Sequence, residues 1–284
     1  MEKLKNCVQK YIPRFILDAR LNFIRAQMKR YVKNLAETSK DKEIEEISDF
    51  LKNNPVQLFP YEWIKHYKSE NIDAHFDEKS HMYFVYAGAN KLYFPKNFSK
   101  QKSADYYNSI LIEQDEHSPH RYETGQFKVS QGDVIAEIGA AEAFWTLSNI
   151  EKVKEAYIFE CEESWIEALQ KTFEPWKEKV FIVKKYVSDL TGTNTVSLDD
   201  FFKDKNLDFI KADIEGAEVL MLKGAAEILK RNKFKAAVCA YHRNNHAKDL
   251  KRIFENNGFK TEYSKGYMMV PSLRRGLIRA EKTI

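Results

Sequence analysis

The segment Leu207-Asp-Phe-Ile-Lys-Ala-Asp-Ile-Glu-Gly-Ala-Glu218 sets Lys211, Asp213, Glu215 and Glu218 around the end of an apolar run, with Gly216 at the turn. Polar side chains at the carboxyl end of a buried strand face the edge where open α/β sheets bind ligands. A second apolar run, KAAVCAY, ends at Tyr241 and is followed by His242 and Arg243. If the two strands are neighbours, Asp213 and His242 face one cavity. A carboxylate beside an imidazole supports general-base chemistry with an orienting partner. The same pair suits a divalent metal, for which Asp213 and His242 are the candidate ligands. His242 is the first candidate for the base. Asp213 would orient it, bind a metal or hold the acceptor, and Lys211 and Glu215 are the second choices.

A different constellation lies upstream. DVIAEIGAAEAFW, residues 133–145, reads as a buried strand entering a tight turn and then a helix. Gly139 lets backbone approach a ligand because no Cβ intrudes, whereas Ala143 stands where a second glycine is expected. The next strand ends at Glu160, 21 residues after Gly139. A spacing of about 20 is what lets an acid reach a ribose diol, so the pattern suits an adenosine-bearing cofactor. A pyrophosphate needs helix amides and several glycines. Here Glu137 and Glu142 bring negative charge instead, which favours a cofactor with a cationic end: S-adenosylmethionine. The expected cofactor contacts are Glu137, Gly139, Ala140, Ala141, Glu142, Ala143, Glu160, Cys161 and Asp213. A nicotinamide-dependent sugar oxidoreductase, the rival enzyme reading, calls for a full GxGxxG after the first strand, which is absent.

These residues need elements to hold them. From Asp133 onward short apolar runs (DVIAEI, AYIFE, KVFIV, LDFIKAD, KAAVCAY) alternate with amphipathic segments such as EESWIEALQKTF. That rhythm predicts a Rossmann-like α/β fold, a parallel sheet with helices on both faces. GFKTEYSKGYMMV reads as a closing pair of strands. Residues 1 to about 55 read as helical, with Leu17, Leu21, Ile24 and Met28 at helical spacing beside a basic face, and Pro13 interrupting or starting a helix. HMYFVYAGANKLYFPKNF reads as a β-hairpin around Gly88. The division expected is an N-terminal helical and hairpin region, 1–110, and a cofactor-binding domain, 111–284. The connector HSPHRYETG precedes the first strand of that domain. Its His117, His120, Arg121 and Tyr122, with Arg243, are the candidate substrate contacts, Arg121 offering a planar fork for an anionic acceptor.

The bulk numbers bound the rest. A chain of 284 residues that is 43% hydrophobic builds a large core. Its net charge of +4 is dispersed and points to no nucleic-acid groove. Cys7, Cys161 and Cys239 form no CxxC pair, which suits a reducing cytoplasm. No apolar run is long enough for a membrane span. The basic N-terminal helix is a candidate for peripheral membrane contact, and oligomerisation stays open.

Taken in order, DVIAEIGAAEAFW, AYIFECEESW, TVSLDDFF, DFIKADIEGAE and AYHRNN resemble the FkbM-type S-adenosylmethionine-dependent methyltransferases, over roughly residues 110 to 270. IKADIEGAE after SLDDFF is the distinctive part. The resemblance implies a class I methyltransferase fold, a seven-stranded sheet with its last strand antiparallel. It also implies O-methylation, commonly of a sugar or polyketide hydroxyl, so the acceptor expected is a small molecule or glycan. By the same resemblance Glu137, Gly139 and Ala140 sit at the first cofactor motif and Glu160 at the ribose-binding acid. Asp213, Glu215, Gly216 and Glu218 sit at the acidic motif, and His242 at the histidine after the fifth strand. Glu137 stands where Asp is commoner, and Ala143 where Gly is usual. A noncatalytic binding protein on the same fold is the reading from another functional class.

Overall fold

The structure, a computed structural model, describes residues 14–231 and 233–282, with side chains from Arg20 onward. Cys7 and Pro13, and the side chain of Leu17, lie outside what is described. Along the chain come α1 (Arg14–Ser39), α2 (Lys42–Asn53), a three-stranded sheet of β1 (His75–Asp77), β2 (Met82–Ala87) and β3 (Asn90–Tyr93), and α3 (Lys100–Glu113). Then follow β4 (Val134–Ile138), α4 (Phe144–Asn149), β5 (Glu155–Phe159), α5 (Glu163–Thr172), β6 (Val180–Val183), β7 (Tyr186–Val187) and β8 (Thr195–Val196). The rest is α6 (Leu198–Phe201), β9 (Phe209–Ala212), α7 (Glu218–Lys223), β10 (Phe234–Cys239), α8 (His246–Asn256), β11 (Lys260–Tyr263), β12 (Met268–Val270), β13 (Ser272–Arg274) and β14 (Leu277–Lys282).

Two compact units result, one of the residues up to Glu62 with Tyr267–Arg274, the other of Trp63–Gly266 and the residues from Arg275. In the first, Asp41 caps α2 by accepting from the Glu43 amide at 2.9 Å, which satisfies an N–H that the helix start leaves over. Ile44, Ile47 and Leu51 then fall on one buried face. The Tyr267 amide donates to the Tyr61 hydroxyl at 2.7 Å and the Tyr267 hydroxyl to Asp41 at 2.8 Å, binding the β12–β13 hairpin to these helices. The apolar stripe expected on α1 is not a packed face: Leu21 is 48% and Ile24 39% exposed.

The second unit is built on a seven-stranded sheet of order β11-β14-β10-β9-β4-β5-β6. All its strands run parallel except β14, which is antiparallel to both β10 and β11. This is the class I methyltransferase arrangement expected. The expected closing pair within GFKTEYSKGYMMV is corrected. Lys260–Tyr263 pairs with Leu277–Lys282, while Met268–Val270 pairs with Ser272–Arg274 in the other unit. The reason is burial: Leu277, Ile278 and Ala280 are fully buried, so the tail, not the MMV segment, fills the slot between β10 and β11.

Alternation along the strands separates two cores. Ile135, Phe209, Ala237 and Leu277 face one core, which the hairpin shares through Phe84, Leu92 and Phe94. Ala136, Ile138, Ile210 and Val238 face the other, closed by residues of α7 and α8. The hairpin therefore packs with the sheet, in the unit that starts at Trp63. The chain order reverses between β4 and β9, and that switch point opens the edge where a ligand can enter.

Candidate active site

The turn after β4 is unusual in its backbone. Gly139, Ala141 and Ala143 have φ of 70°, 46° and 55°, the left-handed region in alternate residues. Gly139 is required by packing: a Cβ there would lie 2.0 Å from the Asp213 carbonyl oxygen and 2.7 Å from Ile214 Cγ2. The amide of Asp213 donates to the Ile138 carbonyl at 3.0 Å, so the ends of β4 and β9 are pressed together. The glycine thus answers to a neighbouring strand, and it also lines the cleft described below. Ala143 is fully buried in the apolar core and does not line the cleft described below. Its methyl bears on the backbone, where a left-handed alanine costs roughly 1–2 kcal/mol.

The acids expected to meet a cofactor divide. Glu137 is 1% exposed and sits opposite Lys211 in the β4–β9 register. It accepts from the Thr146 amide at 2.9 Å and hydroxyl at 2.6 Å and pairs with Lys211 at 3.2 Å. It therefore ties α4 to the sheet and does not reach the cleft. Glu160 does line it, and also holds the turn: Oε2 accepts from the Ala141 amide at 2.8 Å, Oε1 from those of Cys161 and Glu162 at 2.6 and 2.8 Å. Glu142 accepts from the Tyr106 hydroxyl at 3.1 Å, and burial pushes its carboxyl up to about 7. Ala140 is buried behind the turn.

A cleft of about 540 Å³ opens along the carboxyl ends of β4, β5 and β9. Ile138, Phe159, Trp165, Val187 and Ile214 give it apolar walls; Glu160, Asp213 and Glu215 give it acid. Its size suits a small-molecule ligand. Cys161, a free thiol, also lines it. Trp165, Tyr186 and Ser188 line the cleft without having been anticipated. The Tyr186-Val187-Ser188 run after β6 and the aromatic on α5 are the hints of them in the sequence.

Asp213 is the hub behind this cleft. Its Oδ1 lies 3.3 Å from His242 Nε2 and 3.2 Å from the Tyr241 hydroxyl. Its Oδ2 lies 3.4 Å from His120 Nε2 and 3.5 Å from the Tyr122 hydroxyl. Burial alone would raise its pKa, but the hydrogen bond and charge of His120, with Lys211 and His242, hold it well below the usual carboxylate range. Burial also opposes charge on both histidines. It is outweighed at His120 by Asp213 and Glu113, and at His242 by Glu218 and Asp213, so both pKa values rise. Lys211 is an internal counter-ion: against burial, Glu137, Asp213 and Glu142 raise its pKa. It donates to the Gly139 carbonyl at 3.2 Å and stands over the Tyr122 ring. His242 Nδ1 lies 2.9 Å from Glu218 Oε1, and His246 Nε2 lies 3.4 Å from Glu218 Oε2.

Asp213, His242, His120 and Tyr122 are thus brought together. The connector reaches the hub because Arg279, on β14, donates to the carbonyls of Tyr122 and Arg121 at 3.1 and 2.5 Å. Other candidates stand apart. His117 is exposed and paired with Asp115 at 3.0 Å. Arg121 turns its Nε to the Glu123 carbonyl at 2.9 Å. Glu215 is on the cleft rim with 94% of its side chain exposed. Arg243 lies over Gly216, where a Cβ would come within 2.5 Å of its Nε. Tyr241 and His246 escaped sequence reasoning, although His246 follows His242 by only four residues.

Residues 133–261 match the family profile described as the methyltransferase FkbM domain. This segment is similar to the FkbM methyltransferase domain. The domain runs from the residue before β4 into β11, so β14, the hairpin sheet, α3 and the connector lie beyond the matched stretch. Among solved structures the chain resembles an FkbM methyltransferase from Methylobacillus flagellatus at 18% identity and a TM-score of 0.48, over 66% of this chain and 56% of that one. The chain therefore spans little more than half of that protein's length. It also resembles a precorrin-6y C5,15-methyltransferase from Geobacter metallireducens, at 14% identity and a TM-score of 0.39, over 55% of this chain and 83% of that one. A third likeness is a putative tRNA (m1A22) methyltransferase from Streptococcus pneumoniae, solved with S-adenosyl-L-methionine, at 20% identity and a TM-score of 0.37, over 55% and 69% of the two chains. No curated protein matches. No helix among the described residues is long and apolar enough to cross a membrane.

Proposed function

We propose that this chain is an S-adenosyl-L-methionine-dependent O-methyltransferase acting on a hydroxyl of a sugar, saccharide or glycoconjugate in the cytoplasm. The observation that carries this reading is Asp213: a carboxylate in the cleft wall, held from behind by His120, His242 and Tyr241. The donor set fits the cofactor. A carboxylate has about four acceptor positions, and Glu160 uses three on backbone amides, which leaves one for a ribose hydroxyl. Phe159, Trp165 and Val187 offer apolar surface to a purine, and the carboxylates of the cleft favour a cationic ligand.

When bound, the cofactor supplies an electrophilic methyl group. The protein's part is largely positional. Asp213 accepts a hydrogen bond from the acceptor hydroxyl and holds that oxygen at the cleft. The hydroxyl proton becomes strongly acidic only as the new C–O bond forms. A carboxylate kept ionised by its neighbours is then a sufficient base, and the proton passes to an Asp213 oxygen. His242 does not line the cleft, so it serves as a positioning residue with His120, fixing the carboxylate between two imidazoles.

Calorimetric titration with S-adenosylmethionine, S-adenosylhomocysteine and NAD tests the reading, followed by mass spectrometry of a saccharide panel for an added methyl. Binding of the two adenosyl-sulfur ligands and methylation lost in Asp213→Asn support it. Binding of NAD alone would favour a sugar oxidoreductase, and no binding of any of the three would leave a noncatalytic binding protein.

A further inference from the structure

Behind the hub is a second cluster, which shares only His242 with the proposed methyl transfer. Glu218, the first residue of α7, is fully buried, and the side chains of His242 and His246 are 7% and 2% exposed. One ligating atom from each of the three lies within 4.8 Å of the others. Despite these close approaches, all four ring nitrogens of the two histidines and Glu218 Oε2 are buried without a hydrogen bond. Buried polar atoms with no partner are rare and destabilising. Five in one cluster therefore call for an explanation. In the other three-residue cluster, His120, Asp213 and Cys239, the contacts are more complete: His120 Nε2 lies 3.3 Å from Cys239 Sγ, and the Tyr241 hydroxyl donates to Asp213.

We infer that Glu218, His242 and His246 form a binding site for a divalent first-row cation of the zinc class. Two imidazole nitrogens and a carboxylate are a donor set such cations prefer, with an open position left for water. Bonds of about 2.1 Å in tetrahedral geometry give ligand–ligand edges of about 3.4 Å. The separation of His246 Nε2 from Glu218 Oε2 is 3.4 Å, and that of His242 Nδ1 from Glu218 Oε1 is 2.9 Å. With His242 coordinated through Nδ1, its Nε2 carries the proton and lies 3.3 Å from Asp213 Oδ1. Metal-bound histidines commonly present their other nitrogen to a carboxylate in this way. The fold prepares the site. Asn245 adopts φ 61° just before α8, turning the chain so that His246, four residues after His242, comes back to the same carboxylate. The cation would clamp the loop after β10 onto the start of α7 and fix Asp213 from behind.

The test uses the full chain stripped with a chelator, and does not require that any cofactor or acceptor bind. Co²⁺ is titrated by calorimetry and by its visible d–d absorption, and Zn²⁺ by its effect on Tm. The expected result is one equivalent of Co²⁺ with nitrogen–oxygen ligand bands, and a rise in Tm with Zn²⁺ that a chelator reverses. His246→Ala and Glu218→Gln should lose both the bands and the shift. Asp213→Asn should keep one equivalent with affinity about 10–100-fold weaker, as for a group that supports a ligand. If a variant fails to fold, the wild-type titration and Tm shift decide alone. No stoichiometric Co²⁺ in the wild type, or full binding retained in His246→Ala, would overturn the site and leave a carboxylate–histidine cluster without metal.

Discussion

Two buried ionic groups lie close together at the carboxyl ends of the central strands, and they are built differently. In the pair Glu137–Lys211 each group is satisfied: the carboxylate takes two bonds from Thr146, and the ammonium binds the Gly139 carbonyl as well as its partner. In the cluster Glu218–His242–His246 the charges approach, but most of the polar atoms complete no hydrogen bond. Burial and charge are common to both. The difference teaches that the missing partner, rather than the buried charge, marks a place made for something else. Asp213 stands between the two, satisfied from behind and open to the cleft in front.

The largest test of this contrast is Lys211→Met. It leaves Glu137 buried without its counter-charge and should remove about 3–5 kcal/mol of stability in urea unfolding. Adding Glu137→Gln should restore most of that, because the pair costs desolvation as well as giving attraction. If the single change is nearly neutral, the pair is not the closed structural unit described. Next comes Asp213→Asn, expected to lower kcat about 100-fold or more while binding of S-adenosylmethionine changes little. Equal losses in binding and turnover would make Asp213 a cofactor residue instead.

A smaller effect is expected at Glu142, whose carboxyl is raised from an ordinary 4.5 to about 7 by burial. Between those values the folded protein keeps a proton that the unfolded chain releases. Stability from this group is therefore fully present below about pH 4.5 and lost as pH rises through 7. Glu142→Gln should flatten that decline, by about 2 kcal/mol after allowance for partial solvent access. A stability profile from pH 5 to 8 that is the same in both proteins would show that the group is solvated. The smallest change is Ala143→Gly. Relief of a left-handed alanine, roughly 1 kcal/mol, is offset by a lost buried methyl and a freer unfolded chain. Stability should stay within about 1 kcal/mol of wild type, and cofactor affinity should not move, since Ala143 does not line the cleft. A marked gain in affinity would return Ala143 to the cofactor pocket.

The central strands were legible because a strand buried on both faces reads as a nearly continuous apolar run, and β4 and β9 are buried at every position, each with a single charged residue, Glu137 and Lys211. The acids and histidine at their ends were legible for the same reason, since a polar residue that interrupts such a run stands out. β11 was less so. Its KTEY alternates between exposed and half-buried residues, a weak signal, and its partner β14 arrives only after a hairpin that packs elsewhere. No local pattern announces that return.

The sequence by itself determined the fold class, the order of the parallel strands along the chain, and which residue types gather at their carboxyl ends. Local periodicity and turn chemistry suffice for that. Only the tertiary structure decided which of these residues are used where. Register set Glu137 against Lys211 and took it out of the cleft. Arg279, from the last strand, pinned the connector so that His120 and Tyr122 reached Asp213 while His117 and Arg121 turned away. The left-handed residue before α8 returned His246 to Glu218. Each of these depends on the pairing of segments distant in the chain, and distance across a fold is not written in the spacing of residues along it.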